Sequence, residues 1–336
     1  MRFLVTGATS GLGRNATEYL LEKGHEVKAT GRNAEAGKEL EKAGAGFVGL
    51  DLVAASDEEL YLLLRDCEVV WHCAALSSPW GDKEEFYRVN VLATKRLARL
   101  AGEMNIQRFI HVSTPSVYFD FVSHRDIPET YLAKRFANRY AETKYRAESE
   151  IRSLVEEYPQ TNYIMLRPRA LFGPYDRVIF PRVLSQVKKT GGKLHLPGGG
   201  KAYLDLTFVF NAVHALYLAS FNNNVASGEI FNITNQEPRQ LCAVASKLLT
   251  LLDIPFKVVN MPYRMLHALA FCLEKIAFIT HKEPALTRYS VGSLYFDMTL
   301  SQQKAKEILG YEPVYSIDEG IVLTAEWLKN DRNYSV

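Results

Sequence analysis

A short glycine-rich turn at the start of the chain restricts the fold most. Thr6-Gly7-Ala8-Thr9-Ser10-Gly11-Leu12-Gly13 follows the apolar run Phe3 to Val5 and opens a helical stretch reaching about Lys23. Glycines at such a strand-to-helix junction let the backbone turn sharply and approach a pyrophosphate, whose charge is then held by amides at the helix N-terminus. A lone glycine-rich triplet is a weak signal, and its weight comes from the pattern it opens. Strand-like runs follow at Glu26 to Thr30, Gly46 to Leu50, Val69 to Cys73, Arg108 to Ser113 and Asn162 to Arg167. Between them lie helical stretches from about Asp57, around Phe86 to Met104 and across Ala137 to Tyr158. This alternation predicts an α/β fold with a doubly wound parallel sheet, because each parallel crossover must traverse a face of the sheet.

Beyond Pro168 the regularity loosens and Pro and Gly become frequent, as in Phe172-Gly173-Pro174 and Pro197-Gly198-Gly199-Gly200, which suits a substrate lobe built on loops. Asp205 to Val209 and Glu229 to Thr234 read as strands that return to or flank the main sheet. The expected division is therefore residues 1–167 plus about 205–236 as the nucleotide-binding (Rossmann) domain, with about 168–204 and 237–336 as a smaller, discontinuous substrate lobe.

With 336 residues, 47% of them hydrophobic and 23% charged, the chain has the balance of an ordinary globular protein. A net charge of +2 and the lack of a Lys/Arg block argue against nucleic acid as a partner. Cys67, Cys73, Cys242 and Cys272 form no CxxC pair, and the N-terminus lacks a signal peptide's apolar stretch, so a reducing cytoplasmic setting is expected. The eight histidines show no HExxH or clustered spacing, so no metal is expected. Met265 to Thr280 is apolar but is interrupted by His267, Glu274 and Lys275 and is too short to span a bilayer. A buried or interfacial helix is expected there, with weak membrane-surface contact of Met261 to Thr280 left open.

The second strand ends Val27-Lys28-Ala29-Thr30-Gly31-Arg32-Asn33. An NAD enzyme usually places an acid here against the ribose 2'-hydroxyl, and that acid is missing. Gly31 leaves room for a 2'-phosphate and Arg32 offers a planar fork to bind it, so NADP(H) is expected over NAD(H).

Tyr140-Ala141-Glu142-Thr143-Lys144 places a phenol and an ammonium at i and i+4 on one helical face. A nearby cation favours the phenolate and turns a weak base into a usable acid/base. Taken with the glycine signature, Ser113-Thr114-Pro115-Ser116-Val117-Tyr118 and Leu166-Arg167-Pro168-Arg169, this pair resembles the extended short-chain dehydrogenase/reductase family over nearly the whole chain. The resemblance implies that Thr114 holds the substrate oxygen with Ser113 beside it, Tyr140 exchanges the proton and Lys144 binds the nicotinamide ribose. It also implies a cofactor set of Gly7, Thr9, Ser10, Gly11, Leu12, Gly13, Arg32, Asp51, Leu52, Ala74, Ala75, Asn90 and Pro168. Within that set Asp51 lies at the adenine and Asn90 supports the proton path through a backbone or water contact. The helices Phe86 to Met104 and Ala137 to Tyr158 resemble those of the family's dimer interface, so a homodimer is expected. The glycines are spaced GxxxGxG, where many extended members have GxxGxxG.

Sugar-nucleotide epimerases and dehydratases of this family usually carry a phosphate-clamping Arg in a Gln-x-Arg-Asp segment. Leu204 stands at that position here, although Lys201 or Arg182 could substitute. Ser113 to Val117, Val209-Phe210-Asn211-Ala212-Val213 and Glu283-Pro284-Ala285-Leu286-Thr287-Arg288 resemble 3β-hydroxysteroid and sterol-carboxylate dehydrogenases and reductases of 2-alkyl-3-keto acids. The expected reaction is hydride transfer between NADP(H) and a secondary alcohol or ketone of a hydrophobic molecule, a 3-hydroxy or 3-keto acid or a sterol-like substrate. The alternatives are a sugar-nucleotide epimerase or dehydratase with bound NAD and a non-catalytic nicotinamide-nucleotide sensor.

Overall fold

The apolar runs of the N-terminal half become the strands of one sheet: β1 (Arg2–Thr6), β2 (Glu26–Gly31), β3 (Gly46–Gly49), β4 (Val69–His72), β5 (Arg108–Val112) and β6 (Asn162–Pro168). A seventh strand, β7 (Ile230–Ile233), comes from the C-terminal half. The computed structural model describes residues 1–280 and 282–330, and every pairing in this sheet is parallel, in the order β7-β6-β5-β4-β1-β2-β3. Residue 281 and residues 331–336 of the expected second lobe lie outside the described residues.

Strand alternation divides the apolar side chains between two cores. Phe3, Val5, Trp71, Ile110 and Ile164 face one side with Leu20 and Leu216, whereas Leu4, Val70, Phe109 and Tyr163 face the other with Leu63, Leu97 and Ile151. Burial on both faces explains why these strands read as unbroken apolar runs.

Several boundaries differ from the expectation for identifiable reasons. The helix expected at Ala137 to Tyr158 runs Arg139–Ser153, because the Asn138 side chain caps its N-terminus by accepting from the Ala141 amide at 2.9 Å. The helix expected around Phe86 to Met104 begins at Lys83, capped by Asp82, and is interrupted by a π-turn at Arg88–Leu92 before continuing as Ala93–Glu103. A short helix at Ala34–Lys42, capped by Asn33, has no counterpart in the expected pattern. The run Asp205 to Val209 is not one strand and does not join the main sheet. Tyr203–Leu204 pairs with Arg239–Gln240 and Met298–Leu300, Thr207–Phe208 pairs with Leu171–Phe172, and Val209 already begins the helix Val209–Phe221. Thr207 opens the second of these pieces, and its hydroxyl, 2.6 Å from the Arg169 carbonyl and 3.0 Å from that of Ile233, ties it there.

Tyr263–Thr280 forms a helix, but it is not a buried one. Only Ala270, Glu274 and Ala277 face inward, while Phe278 and Ile279 are 68% and 81% exposed. Among the described residues no helix is long and apolar enough to cross a membrane.

Candidate active site

Loops leaving the C-terminal ends of β1, β4, β5 and β6 gather along one edge of the sheet, the usual position of a ligand crevice in such folds. At the end of β1, Gly7 has φ +65°, and a Cβ there would lie 2.9 Å from the Ala74 backbone. A Cβ on Gly13 would lie 2.3 Å from the Gly7 carbonyl oxygen, so both positions require glycine. Gly11, with φ +52°, and Leu12 begin the helix Gly11–Glu22. Ser10 caps that helix through its extended backbone without a side-chain bond, leaving first-turn amides with no intrahelical acceptor. The turn therefore fits a pyrophosphate. Thr9 packs so closely on Gly31 that a Cβ there would meet its methyl at 2.6 Å.

Around this turn, the Thr6 hydroxyl accepts from the Ala74 amide at 3.2 Å and fixes the Ala74-Ala75 segment beside the glycines. Arg32 projects into solvent with its side chain 74% exposed, and its nearest carboxylate is Asp51 at 4.0 Å. Asp51 also accepts from the Val53 amide at 3.0 Å, and Leu52 packs on the core beneath.

Asn90 sits inside the π-turn, where such irregularities often mark functional positions. Its carbonyl accepts from the Leu76 amide at 2.8 Å, and its amide donates to the Leu76 carbonyl and the Thr143 hydroxyl, both at 3.1 Å. The backbone contact expected of Asn90 thus clamps the loop that carries Ser77.

Tyr140, in the first turn of Arg139–Ser153, is half-buried, and loss of hydration raises its phenol above the ordinary value against the opposing hydroxyls of Ser77 and Thr114. Thr114 caps the turn Pro115–Tyr118 and lies 3.0 Å from the Ser116 hydroxyl, which lies 2.8 Å from the Tyr289 hydroxyl. Ser113 points elsewhere: its hydroxyl donates to Glu148 at 2.5 Å, so Thr114 is the one that meets Tyr140. Pro168 ends β6 at the same edge, paired with Ile233.

Lys144 shares the helix face of Tyr140, but its ammonium makes other bonds than the spacing suggests. It donates to the Val112 carbonyl at 2.6 Å and contacts His111 Nε2 at 3.0 Å. Its four-carbon stem carries the ammonium to a strand carbonyl, a strong acceptor for a buried cation. Burial lowers Lys144 to about 7 against the support of the Glu148 carboxylate. It also holds His111 well below its ordinary value, so the imidazole is neutral and can accept from the ammonium.

Tyr140 thus stands beside Thr114 and Ser77, whereas the Lys144 ammonium turns to Val112 and His111, with Asn90, Ala74 and the glycine turn along the same edge. Nothing in the sequence pattern points to Ser77, which comes from a loop, or to Tyr289, which comes from the helix Arg288–Ser293, and Ser116 is visible only as part of the Ser113 to Tyr118 stretch. The wall beyond Thr114 is apolar, with Phe119, Phe121, Phe136 and Tyr145 in one cluster with Tyr289. The arrangement can hold a carbonyl or carbinol oxygen between a phenol and hydroxyl donors and exchange one proton with it.

The NAD dependent epimerase/dehydratase family matches residues 3–234. The chain is 46% identical over 332 residues to YbjS of Escherichia coli (strain K12), covering 98% of each chain. It is 30% identical to a sterol-4-alpha-carboxylate 3-dehydrogenase, decarboxylating, of Mus musculus (96% of this chain, 89% of the other). It is also 30% identical to a 2-alkyl-3-oxoalkanoate reductase of Shewanella oneidensis (94% and 84%). Among solved structures, UDP-glucuronic acid 4-epimerase of Bacillus cereus in complex with NAD superposes with a TM-score of 0.79 at 20% identity, covering 100% of this chain and 99% of the other. That likeness concerns the fold. The chain is a nicotinamide-dependent oxidoreductase by these relationships, and it belongs to the NAD-dependent epimerase/dehydratase family of extended short-chain dehydrogenases/reductases.

Proposed function

We propose that the protein transfers hydride between NADP(H) and a secondary alcohol or ketone of a hydrophobic substrate, a 3-hydroxy or 3-keto acid or a sterol-like molecule. The observation that carries this reading is the Tyr140 phenol, facing Thr114 and Ser77 at the mouth of an apolar lobe. Leu204, at the place of the sugar-nucleotide phosphate clamp, is buried in that lobe's core, which leaves no cation there. The names of the mouse and Shewanella relatives support the same substrate classes.

The glycine turn would hold the pyrophosphate and Arg32, with little else to bind, the 2'-phosphate. When bound, the nicotinamide supplies or accepts the hydride. Thr114 and Tyr140 bond the substrate oxygen, and Tyr140 donates its proton to it in reduction. A phenol raised by loss of hydration stays protonated at neutral pH and is suited to that role. Lys144 would hold the ribose, and Asn90 keeps the Ser77 loop in place. In this reading residues 1–167 with about 205–236 bind the cofactor, and about 168–204 and 237–336 bind the substrate.

Three further readings go with it. The adjacent helices Lys83–Glu103 and Arg139–Ser153 form a homodimer interface, checked by sedimentation. The exposed Met265, Leu269, Ile276 and Ile279, flanked by Arg264 and Lys275, make weak contact with an anionic membrane surface, checked by vesicle flotation. Four free cysteines suit a cytoplasmic location.

The test is titration of cofactor-stripped protein with NADPH and NADH, then NADPH consumption on long-chain 3-keto acids, 3-ketosteroids and sugar nucleotides. Preference for NADPH with net consumption on an apolar ketone is expected. Tightly retained NAD with sugar-nucleotide conversion and no net redox would overturn the reading. Tyr140→Phe should lower turnover by about 10²- to 10⁴-fold with NADPH affinity unchanged.

A further inference from the structure

Arg169, the second residue after Arg167, follows β6 directly at the crevice edge, and its side chain is only 9% exposed. Its Nε is closed off from solvent without a partner, while Nη1 and Nη2 are not closed off and make no hydrogen bond to the described residues. The backbone around it is fixed. The Arg169 amide donates to the Ile233 carbonyl at 3.0 Å, and its own carbonyl accepts from Thr207 at 2.6 Å. The next residue, Ala170, is held at φ +47°, a left-handed conformation that costs a residue with a Cβ and persists only where the surroundings enforce it. The chain thus places a buried cation firmly and leaves its donors unused.

Two groups stand within electrostatic reach of that cation, Asp205 and Tyr289. Asp205 spends Oδ2 on the Leu300 amide at 2.7 Å, and its Oδ1 has no partner, so the two side chains do not bond each other. Burial raises Asp205 to about 6, so it is charged at neutral pH and loses that charge in mild acid. Tyr289 also stands within electrostatic reach of Tyr140, and through Ser116 it is bonded to Thr114. Arg169 therefore belongs to the same crevice as the reacting groups, on the apolar side.

We propose that Arg169 is the carboxylate receptor of the substrate pocket, pairing with an acid group on the hydrophobic substrate and selecting 3-hydroxy or 3-keto acids over neutral ketones. This rests on the hydride-transfer reading above and narrows its substrate. A buried guanidinium without acceptors is costly, and a planar carboxylate matches its fork bidentately. The cofactor's pyrophosphate cannot be the missing anion, since its turn lies at β1, three strands from β6, or about 14 Å at the spacing of a sheet. A phosphate dianion suits the place less well, because one guanidinium with a carboxylate nearby balances at most a single negative charge.

The test compares the binding of dodecanoate and of methyl dodecanoate to the protein with NADP⁺ bound, by calorimetry, in the wild type, Arg169→Met and Arg169→Lys. The wild type should favour dodecanoate by about 10- to 100-fold. Arg169→Met should abolish that preference, Arg169→Lys should keep part of it, and NADPH affinity should be the same in all three. Should the methionine variant fail to fold, Arg169→Gln takes its place with the same expected loss. Equal binding of acid and ester by the wild type, or a preference that survives loss of the guanidinium, overturns the proposal. Ketone reduction without acid preference would sink the receptor and leave the reaction standing. Acid preference without turnover of any ketone would sink the reaction and leave the receptor.

Discussion

Pro168 separates two buried arginines that meet opposite fates. On its N-terminal side Arg167 is fully used: it donates to both Glu148 oxygens at 2.5 and 2.8 Å, to the Tyr118 hydroxyl at 2.6 Å and to the Glu129 carbonyl at 3.1 Å. Tyr118 passes the chain on to Asn232 of β7 at 2.7 Å, and Ser113 fills the remaining approach to Glu148. That network ties two strands, a helix and a loop together and engages every nitrogen of the guanidinium. On the C-terminal side the Arg169 side chain makes no hydrogen bond among the described residues. The difference separates a charge that holds the scaffold from one that the scaffold holds ready, a distinction that burial alone does not reveal.

Stability measurements can break this contrast. Arg167→Met should lower the unfolding free energy by about 3–5 kcal/mol, because it strands the Glu148 carboxylate in the interior. Urea denaturation showing a loss under about 1 kcal/mol would mean that the network is not structural. Arg169→Met, by contrast, removes a buried charge without breaking a bond, and its unfolding free energy should stay within about 1 kcal/mol of the wild type or rise.

A third buried cation, Lys144, sharpens the comparison through pH. Its ammonium has acceptors, yet burial lowers it from 10.5 to about 7. Below about 7 both folded and unfolded chains carry the proton, and the penalty of burying it is fully present. Between about 7 and 10.5 the folded chain has released a proton that the unfolded chain still binds, so this group makes stability rise with pH. The difference in unfolding free energy between wild type and Lys144→Met should therefore grow in favour of the wild type across that window. A flat difference would show that Lys144 titrates normally in the fold.

What the sequence reveals follows the same division. The sheet is legible because strands covered on both faces read as apolar runs, and Gly7 and Gly13 are legible because no other residue fits there. Tyr140 and Lys144 are visible through local spacing, and Thr114 through the family resemblance of its stretch. The helix Ala34–Lys42 escapes because it buries little beyond Gly37 and Leu40, leaving almost no periodicity to see. Thr207 and Phe208 look like part of one strand with Asp205, but they pair with Leu171–Phe172 while Tyr203–Leu204 pairs elsewhere, a division that only tertiary structure sets. Ser116 and Tyr289 meet across 173 residues of chain, a separation that no local pattern encodes. Arg169 can be read as half of a motif, but that it lacks a partner emerges only when every neighbour is in place.

The wide turn at Arg88–Leu92 sets the direction in which Asn90 faces. Each residue advances a helix by roughly 100°. The π-turn takes up one extra residue without passing that rotation on to its flanks, so deleting a residue there would restore regular winding but remove the widened turn that presents Asn90 between Lys83–Tyr87 and Ala93–Glu103. Asn90 could not then face both Leu76 and Thr143. The length of this segment is therefore as much a part of the catalytic geometry as any side chain in it, and a one-residue deletion that leaves every functional group present should still dismantle the site.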